Sequence, residues 1–153
     1  MYAVIGAGPM GLATARNLSK YDIPFIGFDL NSDVGGLWDI DNPHSTMYQS
    51  AHLISSKGMT EFSEFPMPDE VATYPHHSEM KRYFQAYARH FDLYRHYEFS
   101  TRVVRVERRV LFGVATIPRF SWALASRSTS TERSLPRICW KLWAELRVMM
   151  MTI

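Results

Sequence analysis

Short apolar runs alternate with glycine and proline turns near the start of the chain. Residues 2–5 form an apolar run that predicts a buried strand, and residues 12–20 carry apolar positions at helical spacing. A second apolar run at residues 23–28 predicts another strand. Because strand, helix and strand follow one another directly, we expect two parallel strands joined by a right-handed helical crossover. The predicted fold class is therefore α/β, built on a Rossmann-like βαβ unit with a parallel sheet.

The pattern loosens in the middle of the chain and is lost near its end. Residues 31–75 are rich in glycine and proline, which predicts a long irregular segment wrapped over a functional part of the molecule. An amphipathic helix is predicted to open at Ser78, because apolar residues recur at helical intervals as far as Phe91. Residues 99–108 alternate well enough to predict a strand. From residue 109 onward no period is evident, so we expect an irregular C-terminal tail.

The composition is that of an ordinary globular protein with one domain. The chain has 153 residues, of which 46% are hydrophobic and 21% charged. No apolar run approaches the roughly 20 residues that span a membrane, and no basic segment of a signal peptide precedes the first strand. Cys139 is the single cysteine and cannot form an intramolecular disulfide, which fits a reducing compartment. We therefore expect a cytoplasmic protein without a membrane span.

Charge is divided unevenly between the two parts of the chain. Residues 1–108 hold 10 Lys and Arg against 13 Asp and Glu, whereas residues 109–153 hold 7 against 2. A basic segment can indicate a nucleic-acid or membrane partner. Here the change coincides with the loss of regular pattern, and we expect no nucleic-acid partner.

A glycine-rich turn, Gly6-Ala7-Gly8-Pro9-Met10-Gly11, joins the first predicted strand to the helix. In such a G-x-G-x-x-G turn the first glycine permits the tight bend, and the second lets a diphosphate approach the backbone. The third lets the helix pack closely on the sheet. The helix N-terminus presents unpaired N–H groups to the anion, and an acidic residue ending the next strand accepts ribose hydroxyls. We therefore predict a dinucleotide site that contains Gly6, Ala7, Gly8, Pro9, Met10, Gly11 and Asp29.

The segment that follows the second strand reads Asp33-Val34-Gly35-Gly36-Leu37-Trp38. Here the chain resembles the N-terminal FAD site of the flavin-containing monooxygenases, whose second strand runs through an acidic residue into G-G-x-W. The resemblance implies FAD, and not NAD, as the cofactor of this first site. It also implies further cofactor contacts from Gly36, Leu37, Trp38 and Ser55, with Trp38 beside the flavin end.

The resemblance continues through the run Phe62-Ser63-Glu64-Phe65-Pro66-Met67-Pro68 and covers residues 2–108. It implies an enzyme that holds FAD, reduces it with NADPH and forms a C4a-hydroperoxyflavin with O2. One oxygen atom then passes to a small-molecule soft nucleophile such as an amine or a sulfide. Because the flavin carries that chemistry, we expect no catalytic acid–base residue. The six histidines show no ligand spacing, so no metal site is predicted.

Two features depart from the family pattern. Ile54 stands where the family commonly has an asparagine that contacts the flavin–nicotinamide region, which puts N-oxygenation of a typical amine in doubt. The second glycine fingerprint, which forms the NADPH site of the family, is missing from the sequence. We interpret residues 1–108 as the partial FAD-binding domain of a two-dinucleotide flavoprotein and residues 109–153 as a non-matching tail, for which the hypothesis is out-of-frame translation and the alternative is a genuine, divergent tail. Without the later strands, the sheet would have an open edge and an uncovered face, and the fragment is expected to be inactive alone.

Two other functions fit part of the pattern. Another flavin-dependent oxidoreductase, such as a disulfide reductase, would need a Cys-x-x-x-x-Cys pair soon after the glycine turn, and the chain has no cysteine there. A non-catalytic nucleotide-binding module would bind FAD or ADP without oxidising NADPH. The sequence leaves the substrate and the oligomeric state open.

Overall fold

The computed structural model of the protein describes residues 1–111, 114–124 and 147–150, with side chains through residue 106. Two 3-10 turns, at Gly36–Trp38 and Tyr94–His96, accompany the regular elements. The strands are β1 (Tyr2–Ile5), β2 (Phe25–Phe28), β3 (Tyr97–Glu98), β4 (Thr101–Leu111), β5 (Val114–Leu124) and β6 (Arg147–Met150), and the helices are α1 (Pro9–Lys20), α2 (Lys57–Thr60) and α3 (His77–His90).

The predicted βαβ unit is confirmed. Strands β1 and β2 are parallel neighbours, with Tyr2 opposite Phe25 and Ile5 opposite Phe28, and α1 connects them. The four-stranded sheet has the order β3-β2-β1-β6, and each of its pairings is parallel. This arrangement brings the glycine turn, the end of β2 and the start of β3 to the same region of the molecule.

Helix α1 begins earlier than the apolar spacing alone predicts. Gly8 is its N-cap and Pro9 its first residue, where the missing proline N–H costs nothing because no intrahelical acceptor exists there. The helix buries Gly11, Leu12 and Ala15 against the sheet. This packing places the N-terminus of α1 directly above the carboxyl end of β1.

Helix α3 forms the second layer of the core. His76 and Glu79 form a capping box at its start, in which the His76 ring accepts from the Ser78 amide and the Glu79 carboxylate accepts from the His76 amide. The predicted apolar stripe is confirmed as the buried face of the helix. The largest cluster of buried residues joins this face to α1 and β1. Its members from α3 are Met80, Tyr83, Phe84, Tyr87 and Ala88.

The segment at residues 31–75 is mostly irregular, as predicted, but side chains hold it firmly. The Lys57 ammonium donates to the carbonyl oxygens of Pro68, Asp69 and Val71 at 2.9, 3.2 and 2.9 Å. The Lys57 amide also donates to the Thr73 carbonyl at 2.8 Å. Lys57 therefore links the start of α2 to residues 68–73.

Where the structure describes the predicted irregular tail, it contains strands β5 and β6, whereas the predicted open edge of the sheet stays a prediction, because β3 and β6 are the outer strands of the four-stranded sheet. Strand β4 pairs antiparallel with β5, and β6 pairs with the edge of β1. The second face of the sheet is covered around Phe28, where Val103 and Val106 of β4 pack. Strand β6 leaves little local signal, because its partner β1 lies at the other end of the described chain. Cys139 lies outside the described residues.

Candidate dinucleotide-binding site

The glycine turn has the geometry that its first and third glycines predict. Gly6 adopts a φ of +99°, a conformation that L side chains rarely adopt. A Cβ on Gly11 would lie 1.9 Å from the Gly6 carbonyl oxygen, so only glycine allows α1 to approach β1 this closely. Gly8 has ordinary extended angles, with φ −76° and ψ −176°, and nothing crowds the position of its missing Cβ more closely than 3.8 Å. The structure therefore does not itself require glycine at position 8, in contrast to positions 6 and 11.

The N-terminus of α1 is open to an anion. Its N-cap, Gly8, has no side chain to cap the helix, and the first turn has no acidic residue. By helix geometry the N–H groups of Met10 and Gly11 have no acceptor within the helix. These groups and the helix dipole favour an anion at this position, and the roles of Gly8, Pro9 and Met10 in holding a diphosphate stay predictions.

Asp29 braces the glycine turn. Its side chain is buried, one carboxylate oxygen accepts from the Ala7 amide, and the other accepts from the Asn31 amide at 2.7 Å and the Asn31 side chain at 3.0 Å. Burial raises the pKa of this carboxyl, and the hydrogen bonds from Asn31 and Ala7 oppose that rise. A carboxylate offers about four acceptor positions, so capacity for a ribose hydroxyl remains. The ribose contact of Asp29 stays a prediction.

The second glycine pair lies against the first turn. Gly35 and Gly36 have positive φ angles of 124° and 58°, and the Gly35 amide donates to the Ala7 carbonyl at 3.1 Å. A Cβ on Gly36 would lie 3.0 Å from the Cα of Gly8. The close backbone approach that the glycine pair allows is therefore an approach to Gly8. The predicted contact of Gly36 with the cofactor remains untested.

Leu37 and Trp38 complete the 3-10 turn beside this contact. The Leu37 carbonyl accepts from the Ser45 hydroxyl, and the Trp38 amide donates to the Gly35 carbonyl at 3.2 Å. Trp38 is half-buried and packs against the main core. Its place beside the flavin end stays a prediction.

Ser55 belongs to a different segment of the site. Its hydroxyl hydrogen-bonds Thr60 at 2.7 Å, and the residue is half-buried. The neighbouring Ile54 is 98% exposed, which is unusual for an isoleucine. The structure therefore brings together the glycine turn, Asp29 and the Gly36 turn, whereas for Ser55 it shows a bond within its own turn.

Tyr97 is a residue of this site that the sequence reasoning missed. Its hydroxyl donates to the Gly6 carbonyl at 3.3 Å, and its ring fills the space above Gly27. The signal that could have identified it is the glycine within the second strand, because a strand glycine often marks a close approach of another group.

A cavity of about 450 Å³ opens next to Asn31 and is lined by polar side chains. Its one lysine, Lys81, pairs with Asp39 at 2.6 Å, and this hydrogen bond raises the pKa of the ammonium. Because the ammonium of Lys81 is paired with Asp39, the charged groups that remain in the cavity are mainly carboxylates. Its lining residues are Leu30, Asn31, Ser32, Asp33, Asp39, Asp41, Asn42, Pro43, His44 and Lys81.

The residues that the structure describes contain no group of three or more His, Cys, Asp or Glu side chains placed to hold a metal ion. None of the helices in the described ranges is both long enough and apolar enough to cross a membrane.

Comparison with known proteins gives consistent matches. Residues 1–130 match the flavin-binding monooxygenase-like family, a range that extends beyond the predicted domain boundary at residue 108. Over 136 residues the chain is 32% identical to dimethylaniline monooxygenase [N-oxide-forming] 2 from Oryctolagus cuniculus, covering 86% of this chain and 25% of that protein. The chain thus spans about a quarter of the length of this relative.

Two solved structures show the same fold. S-allyl-L-cysteine S-oxygenase from Allium sativum superposes with a TM-score of 0.64 at 26% identity, covering 71% of this chain and 29% of that one. The complex of OTEMO with FAD and NADP superposes with a TM-score of 0.60 at 23% identity, covering 76% of this chain and 23% of that one. The second likeness concerns the fold alone.

Proposed function

The chain belongs to the flavin-binding monooxygenase-like family, and from that premise we propose that its glycine turn binds the diphosphate of FAD. The observation that carries this proposal is the N-terminus of α1, whose N-cap Gly8 has no side chain to cap it and whose first turn has no acidic residue. Asp29 stands at the edge of the same turn with acceptor capacity to spare for the adenosine ribose.

Each residue of the turn has a distinct task in this proposal. The amides of Met10 and Gly11 donate to the diphosphate, and the missing Cβ of Gly8 lets it approach the backbone. Asp29 orients the ribose while it holds the Ala7 amide. The chain's own part is therefore binding and orientation. The chemistry that FAD would supply when bound is acceptance of a hydride from NADPH and transfer of one oxygen atom from O2 to a substrate.

The substrate class proposed is a soft nucleophile, a nitrogen or sulfur compound. Two of its relatives support it by the reactions in their names, since dimethylaniline monooxygenase [N-oxide-forming] 2 forms N-oxides and S-allyl-L-cysteine S-oxygenase oxygenates a sulfur atom. Because the family's NADPH site is formed by a second glycine fingerprint that is missing from residues 1–153, we propose that these residues alone do not oxidise NADPH.

A matched pair of glycine variants tests the FAD proposal. Gly8→Ala and Gly58→Ala each add one methyl group where nothing lies closer than 3.8 Å, so both variants should fold. Only Gly8→Ala places the methyl group where the diphosphate must approach. We expect Gly8→Ala to weaken FAD binding by about tenfold or more, which is about 1.4 kcal/mol, whereas Gly58→Ala binds like the wild type. Equal affinities for the two variants would refute the role of the turn.

The alternative function is a nucleotide-binding module without redox specificity. The feature that favours it is that the contacts around the turn concern the adenosine diphosphate part, which ADP and FAD share. Titration of the wild-type chain with each nucleotide separates the two proposals. ADP binding as tight as FAD binding supports the module, whereas tighter FAD binding supports a flavoprotein.

A further inference from the structure

We propose that Tyr97 is a positioning residue for the glycine turn: its hydroxyl fixes the Gly6–Ala7 peptide in the orientation that the bound diphosphate uses. This inference rests on the proposed FAD function and deepens it. Tyr97 lies at the start of β3, far from the turn in sequence, and its hydroxyl donates to the Gly6 carbonyl at 3.3 Å.

The Gly6–Ala7 peptide is held at both ends. Its carbonyl oxygen accepts from Tyr97, and its N–H group donates to the carboxylate of Asp29. Because the carbonyl and the N–H group of one peptide point in opposite directions, rotating this peptide breaks both bonds. Two side chains, from Tyr97 in β3 and from Asp29 directly after β2, therefore act on one peptide as a clamp.

The sheet provides the space through which the tyrosine reaches the turn. In the parallel register of β2 and β3, Gly27 lies opposite Tyr97. A Cβ on Gly27 would lie 2.4 Å from the Tyr97 ring, so the ring occupies the position of the missing side chain. The hydroxyl then lies 3.4 Å from where a Cβ on Gly11 would be, which places it between α1 and the sheet.

The phenol is suited to donate in this position. Tyr97 is 8% exposed, and burial together with the charge of Asp29 raises its pKa above the ordinary value for tyrosine. The hydroxyl therefore keeps its proton at neutral pH, and the Gly6 carbonyl can only accept. Phenylalanine at this position would keep the ring and lose the bond.

A clamp is needed because the first glycine is conformationally free. Glycine populates positive and negative φ with similar ease, so Gly6 has little intrinsic preference for its φ of +99°. A turn that samples several orientations must be ordered when the ligand binds, and that ordering weakens the affinity. Preorganisation by Tyr97 would therefore appear as tighter binding of FAD.

The test compares Tyr97→Phe with Tyr87→Phe in the full chain. Tyr87 is a suitable control, because it is 1% exposed and its hydroxyl donates to Glu64 at 3.2 Å, away from the turn. Loss of one net hydrogen bond corresponds to a roughly five- to tenfold change in an equilibrium constant. We expect Tyr97→Phe to weaken FAD binding by that factor and Tyr87→Phe to leave it unchanged. Equal affinity of wild type and Tyr97→Phe overturns the proposal.

Amide hydrogen exchange in the absence of FAD gives an independent measurement. The Ala7 amide should exchange faster in Tyr97→Phe than in the wild type, and Tyr87→Phe should show the wild-type rate. If the wild type binds no FAD, the proposed function fails, and the exchange rate of Ala7 alone decides on the clamp. An unchanged Ala7 rate in Tyr97→Phe overturns the clamp whether or not FAD binds.

A second pair of variants separates positioning from packing. Gly27→Ala should push the Tyr97 ring away from the turn, and combining it with Tyr97→Val restores the space. The proposal expects the double variant to recover thermal stability relative to Gly27→Ala, but not FAD affinity, because the hydroxyl is absent. Recovery of both properties would show that Tyr97 acts only through packing and would overturn its positioning role.

Discussion

The backbones of Gly8 and Gly36 are in contact. A side chain on Gly36 would begin 3.0 Å from the Cα of Gly8, and the adjacent Gly35 amide bonds the Ala7 carbonyl. The two glycine-rich segments of the sequence therefore form one structure, in which the second supports the first. The turn that we assign to FAD is held from three directions, by the Gly35–Gly36 segment, by Asp29 and by Tyr97.

Gly36→Ala is expected to destabilise the protein. Gly36 has a φ of +58°, where a side chain costs roughly 1–2 kcal/mol, and the new methyl group would crowd Gly8. Urea denaturation followed by circular dichroism measures the change in unfolding free energy. Gly58→Ala, where nothing lies within 4 Å, is the matched control. A loss of unfolding free energy no larger than that of the control would show that the contact between Gly8 and Gly36 tolerates a side chain.

Asp29 should make stability depend on pH. Because burial raises its pKa in the folded state, the folded chain holds the proton more tightly than the unfolded chain. Its contribution to stability is therefore fully present below the ordinary pKa of an aspartate and is lost as pH rises through the raised value. The difference in unfolding free energy between wild type and Asp29→Asn, measured over this range, should follow that trend. A difference that is independent of pH would exclude the raised pKa.

The affinity for FAD should rise with pH over the same range in which the contribution of Asp29 to stability falls. Ribose hydroxyls donate to the ionised carboxylate, so ionisation of Asp29 favours the ligand. We expect FAD affinity to rise as pH rises through the raised pKa, and to lose that dependence in Asp29→Asn. Isothermal titration calorimetry at several pH values makes the measurement. An unaltered pH dependence in the variant would show that Asp29 does not bind the ribose of FAD.

Lys57→Met should loosen the segment around Pro68 and Val71. The ammonium of Lys57 donates to three carbonyl oxygens there, and hydrogen bonds from a charged group are worth about 1.5–3 kcal/mol when buried, less for this partly exposed one. We expect a loss of about 1 kcal/mol and faster proteolytic cleavage between residues 67 and 73. The length of methionine preserves the aliphatic packing, so a cleavage rate equal to that of the wild type would count against the role of the ammonium.

Local signals account for the parts of the fold that the sequence predicts well. The first strand, the glycine turn and α1 are specified by neighbouring residues, since Pro9 fits the first helical position and Gly6 the positive φ. The buried face of α3 follows from its periodicity in the same way.

The contacts that the sequence could not predict join distant residues. Tyr97 meets Gly6 across the sheet, and the pairing of β6 with β1 joins the two ends of the described chain. No local sequence pattern predicts such a contact, because neither partner has a distinctive neighbourhood in the sequence before the strands are aligned. The Gly27 position is the exception, since a glycine inside a strand indicates that something else fills its space.

The predicted boundary at residue 108 is a separate question from the site. The family match runs to residue 130, so the boundary and the out-of-frame interpretation of the tail stay predictions. Sequencing the DNA through the codons for residues 106–124 and translating it in all three frames tests them. We expect a shifted frame to restore a second glycine fingerprint downstream. Stop codons in both other frames would end the out-of-frame interpretation.

Binding of FAD and FMN to the purified chain tests the central claim most directly. FMN has the flavin ring but lacks the adenosine diphosphate that the glycine turn and Asp29 are proposed to hold. Equilibrium dialysis with each flavin, followed by absorbance of the protein fraction, gives affinity and stoichiometry. The account predicts one FAD bound per chain and FMN binding weaker by at least about tenfold, a difference of about 1.4 kcal/mol. Equal binding of the two flavins, or no binding of FAD, would contradict it.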